Sequence, residues 1–292
     1  MWYLAGAQLP FKEPIFVDKQ KRIPNFQLVG YAESQDGFDW QLPDLGLVDY
    51  NGSTENNICR IARTNAEGIA VVHDLLDPDP NRRYKAFHWE HSSSRKDIPD
   101  VSVNDMSVSF SANDKDWTDH PSNPVIDLGS DSGQQTLYDP YINKYVAYGR
   151  FGAGGRKVAR AESDDFVNWS SPQLVFQANP ADGARTQVYG MGISLCEGVY
   201  VGLPWMFHEG TSWKIDVQLA TSRDGMQWAR VAQGTPFIPN EPDESWDTGI
   251  IFTASQPLQV VGDWIFIFYS ACIHDHKWHG RTQRPRRRAR FA

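Results

Sequence analysis

Cysteine is scarce in this chain. There are three, Cys59, Cys196 and Cys272, in 292 residues, and no two have CxxC spacing. That excludes a disulfide framework and a thiolate zinc site, and it leaves the redox compartment undecided. Long hydrophobic runs are missing too. The longest, Trp264 to Cys272, has nine residues, against the about 20 that a membrane-spanning helix needs. No membrane association is expected. The N-terminal stretch Met1-Trp2-Tyr3-Leu4-Ala5 has neither a basic region nor a full apolar core, so it does not read as a signal peptide. Positive charge is in short supply: 28 basic residues stand against 36 acidic ones, for a net −8. Six arginines (Arg281, Arg284, Arg286, Arg287, Arg288 and Arg290) fall in the last twelve residues, and without them the net is −14. A nucleic-acid partner, which requires a basic face to displace phosphate counterions, is excluded.

What the chain has in quantity is aromatic side chains: 11 Trp, 11 Tyr and 15 Phe, or 13%. Aromatics favour strands, and exposed rings stack on flat apolar ligand faces. They also mark an internal repeat. Four times a Ser is followed by Asp or Asn two residues on and by Trp six residues on, at Ser34–Trp40, Ser111–Trp117, Ser163–Trp169 and Ser222–Trp228. The unit reads as a turn. Its Asp or Asn can accept from backbone amides one or two residues on, Gly37 and Gly225 suit a positive φ, and the Trp folds back over the turn.

Strand patterns surround each turn. An alternating strand precedes it (Leu28–Ala32, Met106–Phe110, Lys157–Ala161, Val217–Thr221), and before that comes a short aromatic run (Met1–Ala5, Tyr84–Trp89, Tyr145–Tyr148, Tyr200–Trp205), with a fifth at Trp264–Tyr269. Another strand leads four of these runs, at Gly68–His73, Gln135–Tyr138, Gln187–Ile193 and Ile250–Ser255. A short fourth strand is expected at Pro124–Ile126, Leu174–Phe176 and Pro236–Ile238. Four strands recurring every 52–77 residues describe a β-propeller blade. The expected fold is therefore all-β: a five-bladed propeller of four-stranded antiparallel blades, one domain over residues 1–280. Its first blade lacks the innermost strand and its fifth stops after the second. Residues 281–292 form an Arg-rich tail that shares nothing with the rest and is expected to be disordered. A truncated or out-of-frame gene product is the expectation for such ends, ahead of a basic tail that meets an acidic surface.

Ser-x-Asp-x-x-x-Trp at the close of a blade strand resembles the five-bladed propellers of glycoside hydrolase families 32, 43 and 68, with bacterial family-32-like proteins nearest. Tyr31–Trp40, Gly46–Gly52, Asn56-Asn57, Asp139–Tyr148 and Ala161–Trp169 carry the likeness, which extends over about residues 1–270. The resemblance implies three carboxylates projecting from the innermost strands of the first three blades, since glycosidic cleavage takes one protonated and one ionised carboxyl across the bond. The blade-one inner strand is absent, so the first carboxylate has no candidate. Asp74 matches the second by position. For the third, Ser130–Gln135 offers Asp131 in place of a Glu. Asp247 opens the blade-five inner strand and is a further catalytic candidate.

Each candidate also has a plainer reading. Asp74, Asp131 and Asp247 all sit where an Asp commonly starts a turn. Arg150 ends a blade-three strand and could bind a carboxylate or sulfate on a sugar, or form a surface salt bridge. His208 follows Trp205-Met-Phe207 at the matching point of blade four. Trp205 could stack on a sugar and His208 could bind one, or both could pack as core. His274, Asp275, His276 and His279 resemble a metal cluster, but His-x-His alone is a weak pattern, and no metal or cofactor is expected. The expected partner is carbohydrate. The expected function is that of a glycoside hydrolase-like protein acting on an oligo- or polysaccharide, with a non-catalytic carbohydrate-binding propeller as the alternative and a scaffold for protein partners as a third class. Export or a periplasmic home in the full-length protein fits such relatives. The sequence carries no reading of oligomeric state.

Overall fold

The computed structural model describes residues 1–6, 15–17, 20–22, 27–50, 52–62, 66–91, 104–131, 133–242 and 245–277. The Arg-rich tail and His279 lie outside these residues. The chain divides into two compact units, residues 1–131 with 164–169, and residues 132–163 with 170–292. Among the described residues the regular structure is strand throughout, apart from two 3-10 turns at Pro80–Arg82 and Pro180–Asp182.

In the first unit, β1 (Trp2–Gly6) pairs antiparallel with a later strand, and β2 (Ile15–Val17) and β3 (Gln20–Arg22) make a short hairpin. That later strand, β4 (Gln27–Tyr31), then pairs with β5 (Ile58–Cys59), which completes a three-stranded sheet. The second sheet is a full meander of β6 (Ala66–His73), β7 (Tyr84–His91), β8 (Asn104–Ser111) and β9 (Thr118–Asp119). Its two faces differ, as a period of two dictates. Phe87 opposite Val108 and Trp89 opposite Met106 make one face apolar, while His88 opposite Ser107 and Glu90 opposite Asp105 make the other polar. All of these side chains are buried.

In the second unit, β10 (Gln135–Asp139), β11 (Lys144–Gly149), β12 (Val158–Ser163) and β13 (Gln173–Phe176) form another four-stranded meander. Next come β14 (Thr186–Cys196), β15 (Val199–His208), β16 (Ile215–Val217), β17 (Leu219–Ser222) and β18 (Ala229–Val231). The last hairpin, β19 (Ile250–Val261) with β20 (Trp264–Cys272), joins this sheet through one parallel pair, Ile215 with Ile250. The expected strand Val217–Thr221 is broken at Gln218, whose N–H donates to the carbonyl of Pro204. Pro204 has no N–H to return, so the ladder cannot run through that point. The expected fourth strands at Pro124–Ile126 and Pro236–Ile238 shrink to single bridges, Met106 with Ile126 and Val217 with Ile238. There too a proline removes a donor. The fourth strands of those sheets are instead Thr118–Asp119 and Ala229–Val231.

The four Ser-x-Asp/Asn-x-x-x-Trp units fold alike. Asp36, Asn113, Asp165 and Asp224 each accept from the amides two and three residues on, at 2.7–3.2 Å, one step further than the sequence reading. The indole N–H of each Trp returns to the carbonyl three residues back, at 3.0–3.2 Å. That carbonyl residue has φ between 66° and 81°, which suits Gly37 and Gly225 and strains Asp114 and Phe166.

These turns tie sheets together inside each unit. Trp117 packs on Trp2, whose indole donates to the carbonyl of Asp114. Phe166 and Trp169 pack on Phe87, and Arg82 donates to the carbonyl of Asp165. In the second unit Trp228 packs on Tyr148, Phe176 and Tyr200, while Arg160 and Tyr148 donate to the carbonyls of Asp224 and Gly225. The turns at Trp117 and Trp228 thus each cover the sheet that precedes their own in the chain.

Candidate functional site

In the second unit a ring and a set of charged groups gather where β14 begins. Tyr189 lies in a bulge of β14 between Val188 and Gly190 and is half-buried. Two guanidinium groups stand over its ring, Arg150 at 4.9 Å and Arg156 at 5.2 Å from the centroid. Arg156 is also 5.0 Å from the ring of Phe207. His276 closes the group: its Nε2 is 3.1 Å from the Tyr189 hydroxyl, and its ring lies against Phe207. Glycine makes this crowding possible. A Cβ on Gly190 would come within 2.5 Å of Trp205.

Polar side chains continue outward from the ring. Arg156 donates to Gln187 Oε1 at 2.8 Å, and Gln187 Nε2 donates to Glu209 Oε2 at 2.6 Å. Next to Glu209, His208 Nε2 donates to Asp216 Oδ2 at 2.6 Å. That hydrogen bond raises the His208 pKa above the usual imidazole range, against the opposing effect of burial. Asp216 Oδ1 is buried and has no hydrogen-bond partner. Where β10 begins in the same unit, Gln134 is 2% exposed and neither its Nε2 nor its Oε1 has a hydrogen-bond partner.

The sequence candidates fall in different settings. Arg150 lies against Tyr189 and is 7% exposed. Trp205, expected to offer a ring, is 5% exposed; it donates to Thr253 Oγ1 at 2.9 Å and packs on Phe252. The ring that lies among the charged groups is Tyr189 instead, and it too is half-buried. His208 is half-buried and paired with Asp216. Asp247 is buried just ahead of β19 and accepts from Ser245 Oγ at 2.6 Å. In the first unit, Asp74 follows the end of β6. Its Oδ1 accepts from the Leu76 amide at 2.9 Å, and its Oδ2 is 3.1 Å from Nζ of the fully buried Lys85. Lys85 also meets Asp77 at 2.6 Å. Asp131 is exposed in the segment that runs toward β10.

The sequence reading missed Tyr189, Arg156, Gln187, Glu209 and Asp216. The available signal was an aromatic residue flanked by glycine inside an innermost strand, Val188-Tyr-Gly-Met-Gly192.

The His274–His276 segment does not assemble as a ligand set: His276 turns to Tyr189, and Asp275 accepts from the Lys277 amide. Among the described residues one group has metal-ligand spacing, His88, Glu90 and Asp119 in the second sheet, with donor atoms within 4.8 Å of one another. The same atoms make a hydrogen-bonded chain. Ser109 Oγ donates to Asp119 Oδ1 at 2.7 Å and is itself 2.9 Å from His88 Nε2, so that nitrogen carries the proton.

The fold defines the class. It is an all-β propeller of the type found in glycoside hydrolases. A thermostable family-43 glycoside hydrolase superimposes with a TM-score of 0.57 at 14% identity, covering 85% of this chain and 77% of that one. A glycosyl hydrolase from Bacteroides ovatus gives 0.55 at 17% identity over 94% of this chain and 78% of its own. An endo-1,4-beta-xylanase from Bacteroides thetaiotaomicron gives 0.55 at 11% identity over 92% and 83%. No family model matches the sequence. A stretch of 74 residues is 35% identical to the neutral ceramidase of Pseudomonas aeruginosa, which is 25% of this chain and 10% of the ceramidase.

Proposed function

We propose that this protein is a carbohydrate-active propeller that takes an oligo- or polysaccharide at the Tyr189 cluster and hydrolyses its glycosidic bonds. The observation that carries the reading is the half-buried Tyr189 ring at the start of an innermost strand, flanked by arginines, in a fold shared with glycoside hydrolases. An aromatic face beside fixed hydrogen-bond donors suits a sugar, which has apolar C–H faces and polar edges. Five blades and a family-32-like place within the class follow from the repeat motifs. Asp74, Asp131 and Asp247 remain the carboxylate candidates, and the His208–Asp216 pair adds a half-buried acid–base couple.

A second reading, carbohydrate binding without cleavage, is favoured by Asp74, whose two oxygens are engaged by a turn amide and by Lys85. The two readings separate on a panel of arabinan, xylan, mannan and pectin, measured for release of reducing ends and for retardation in glycan-containing gels. Cleavage that Asp247→Asn abolishes at unchanged melting temperature supports hydrolysis. Retardation without cleavage gives the binding reading. If neither occurs, carbohydrate is the wrong ligand class. Asp74→Asn is expected to lower the melting temperature, because it unpairs buried Lys85 from one of its two carboxylates.

A further inference from the structure

We propose that the sugar bound at this cluster is anionic, bearing a carboxylate or sulfate that Arg156 holds beside the Tyr189 ring; the inference rests on the carbohydrate reading above. Arginines held against rings elsewhere in this unit have a carboxylate. Arg160, over Tyr148 and Tyr200, pairs with Glu162 at 2.9 Å. Arg230, over Phe176, pairs with Asp182 at 2.6 Å. Arg156 differs. Among the described residues it makes no ion pair: its side-chain contacts are one hydrogen bond to an amide oxygen and two ring faces, and its Nε is buried with no acceptor.

A second guanidinium lies close to it. Arg150 lies over the same Tyr189 ring, and His276 Nε2 touches the Tyr189 hydroxyl. A ring face offsets the charge of Arg156 only in part. An anion set against Arg156 supplies the compensation that Arg160 and Arg230 already have.

The geometry is also prepared for it. Glu209 accepts from Gln187 Nε2 and so fixes the amide with its oxygen toward Arg156. That bond occupies one terminal nitrogen and orients the planar fork, which matches the paired oxygens of a carboxylate or sulfate better than a neutral hydroxyl. The sugar's acid group would then meet the guanidinium beside the Tyr189 ring. Uronic acids and sulfated sugars share this chemistry.

The test is a calorimetric comparison of the full chain with a neutral xylo-oligosaccharide, an oligogalacturonate and a sulfated galactan oligosaccharide of equal length. The expected result is that one or both acidic sugars bind at least about tenfold tighter than the neutral one, with the margin shrinking as salt is raised. The two acidic arms tell uronate from sulfate. Arg156→Gln should weaken the acidic sugar by about ten- to a hundredfold and the neutral one by much less. Arg156→Lys should recover part of the loss, and it serves as the comparison if the Gln variant does not fold. Equal binding of neutral and acidic sugars overturns the inference and leaves the carbohydrate reading intact. An acidic preference that survives Arg156→Gln in a folded protein overturns the assignment to Arg156. Binding of none of the three overturns both readings.

Discussion

At the scale of single residues, the His208–Asp216 contact sets a pH dependence whose sign is fixed. His208 has a raised pKa in the folded chain because Asp216 accepts its proton at 2.6 Å. The stabilisation is therefore complete below the ordinary imidazole value of about 6.5 and is lost as pH rises through the higher folded value. Following the His208 ring protons by NMR should show a midpoint above that of a free histidine, and Asp216→Asn should bring it back down. A wild-type midpoint at or below the free value would contradict the paired geometry. Asp216 itself was not readable in the sequence, since nothing in Ile215-Asp-Val217 separates a site acid from a strand-edge one until β15 and β16 are paired. Arg156 was hidden for a similar reason. Its meaning lies in its making no ion pair among the described residues, which is a fact about three dimensions.

At the scale of elements, the Ser-x-Asp/Asn-x-x-x-Trp turn joins local geometry to packing between sheets. Asp224 is held below the ordinary carboxylate range by the Gln227 and Met226 amides that point at it. One of the four copies uses Asn113 for the same two bonds, so Asp224→Asn should change stability at neutral pH by no more than about 0.5 kcal/mol. Trp228→Ala is the opposite case. It empties a half-buried site bounded by Tyr148, Phe176 and Tyr200 and should cost about 3 kcal/mol in urea unfolding. Equal effects from the two changes would mean that the turn is not the link described. The turn and the strands before it were legible in the sequence because Asx chemistry and period-two alternation act over a few residues. The fourth strands were misplaced by the prolines at 124 and 236, which look like strand edges yet remove the donor that a ladder needs. That β19 meets β16 at a single parallel pair had no local signature at all.

At the scale of the whole molecule, solubility hangs on the tip of the last hairpin. Val260, Val261, Trp264 and Ile265 are 60–73% exposed there, and among the described residues β20 is the outer strand of its sheet. An apolar strand at a sheet edge invites pairing with another copy. The chain is expected to self-associate as its concentration rises, and Trp264→Lys with Ile265→Lys should suppress this in light scattering. A monodisperse wild-type monomer with one cooperative melt would contradict the expectation. The net charge of −8 opposes association only weakly at physiological salt, where the Debye length is about 8 Å.

The placement of the turns also has a consequence for synthesis. The apolar side of the second sheet, with Phe87 and Phe110, is capped by Phe166 and Trp169, yet that cap is encoded about 50 residues after the sheet's last strand, Thr118–Asp119. At a translation rate of about 5–20 residues per second, the sheet waits roughly 3–10 s on the ribosome with that side bare. A nascent chain of this design offers a chaperone the same aromatic surface that the finished protein hides.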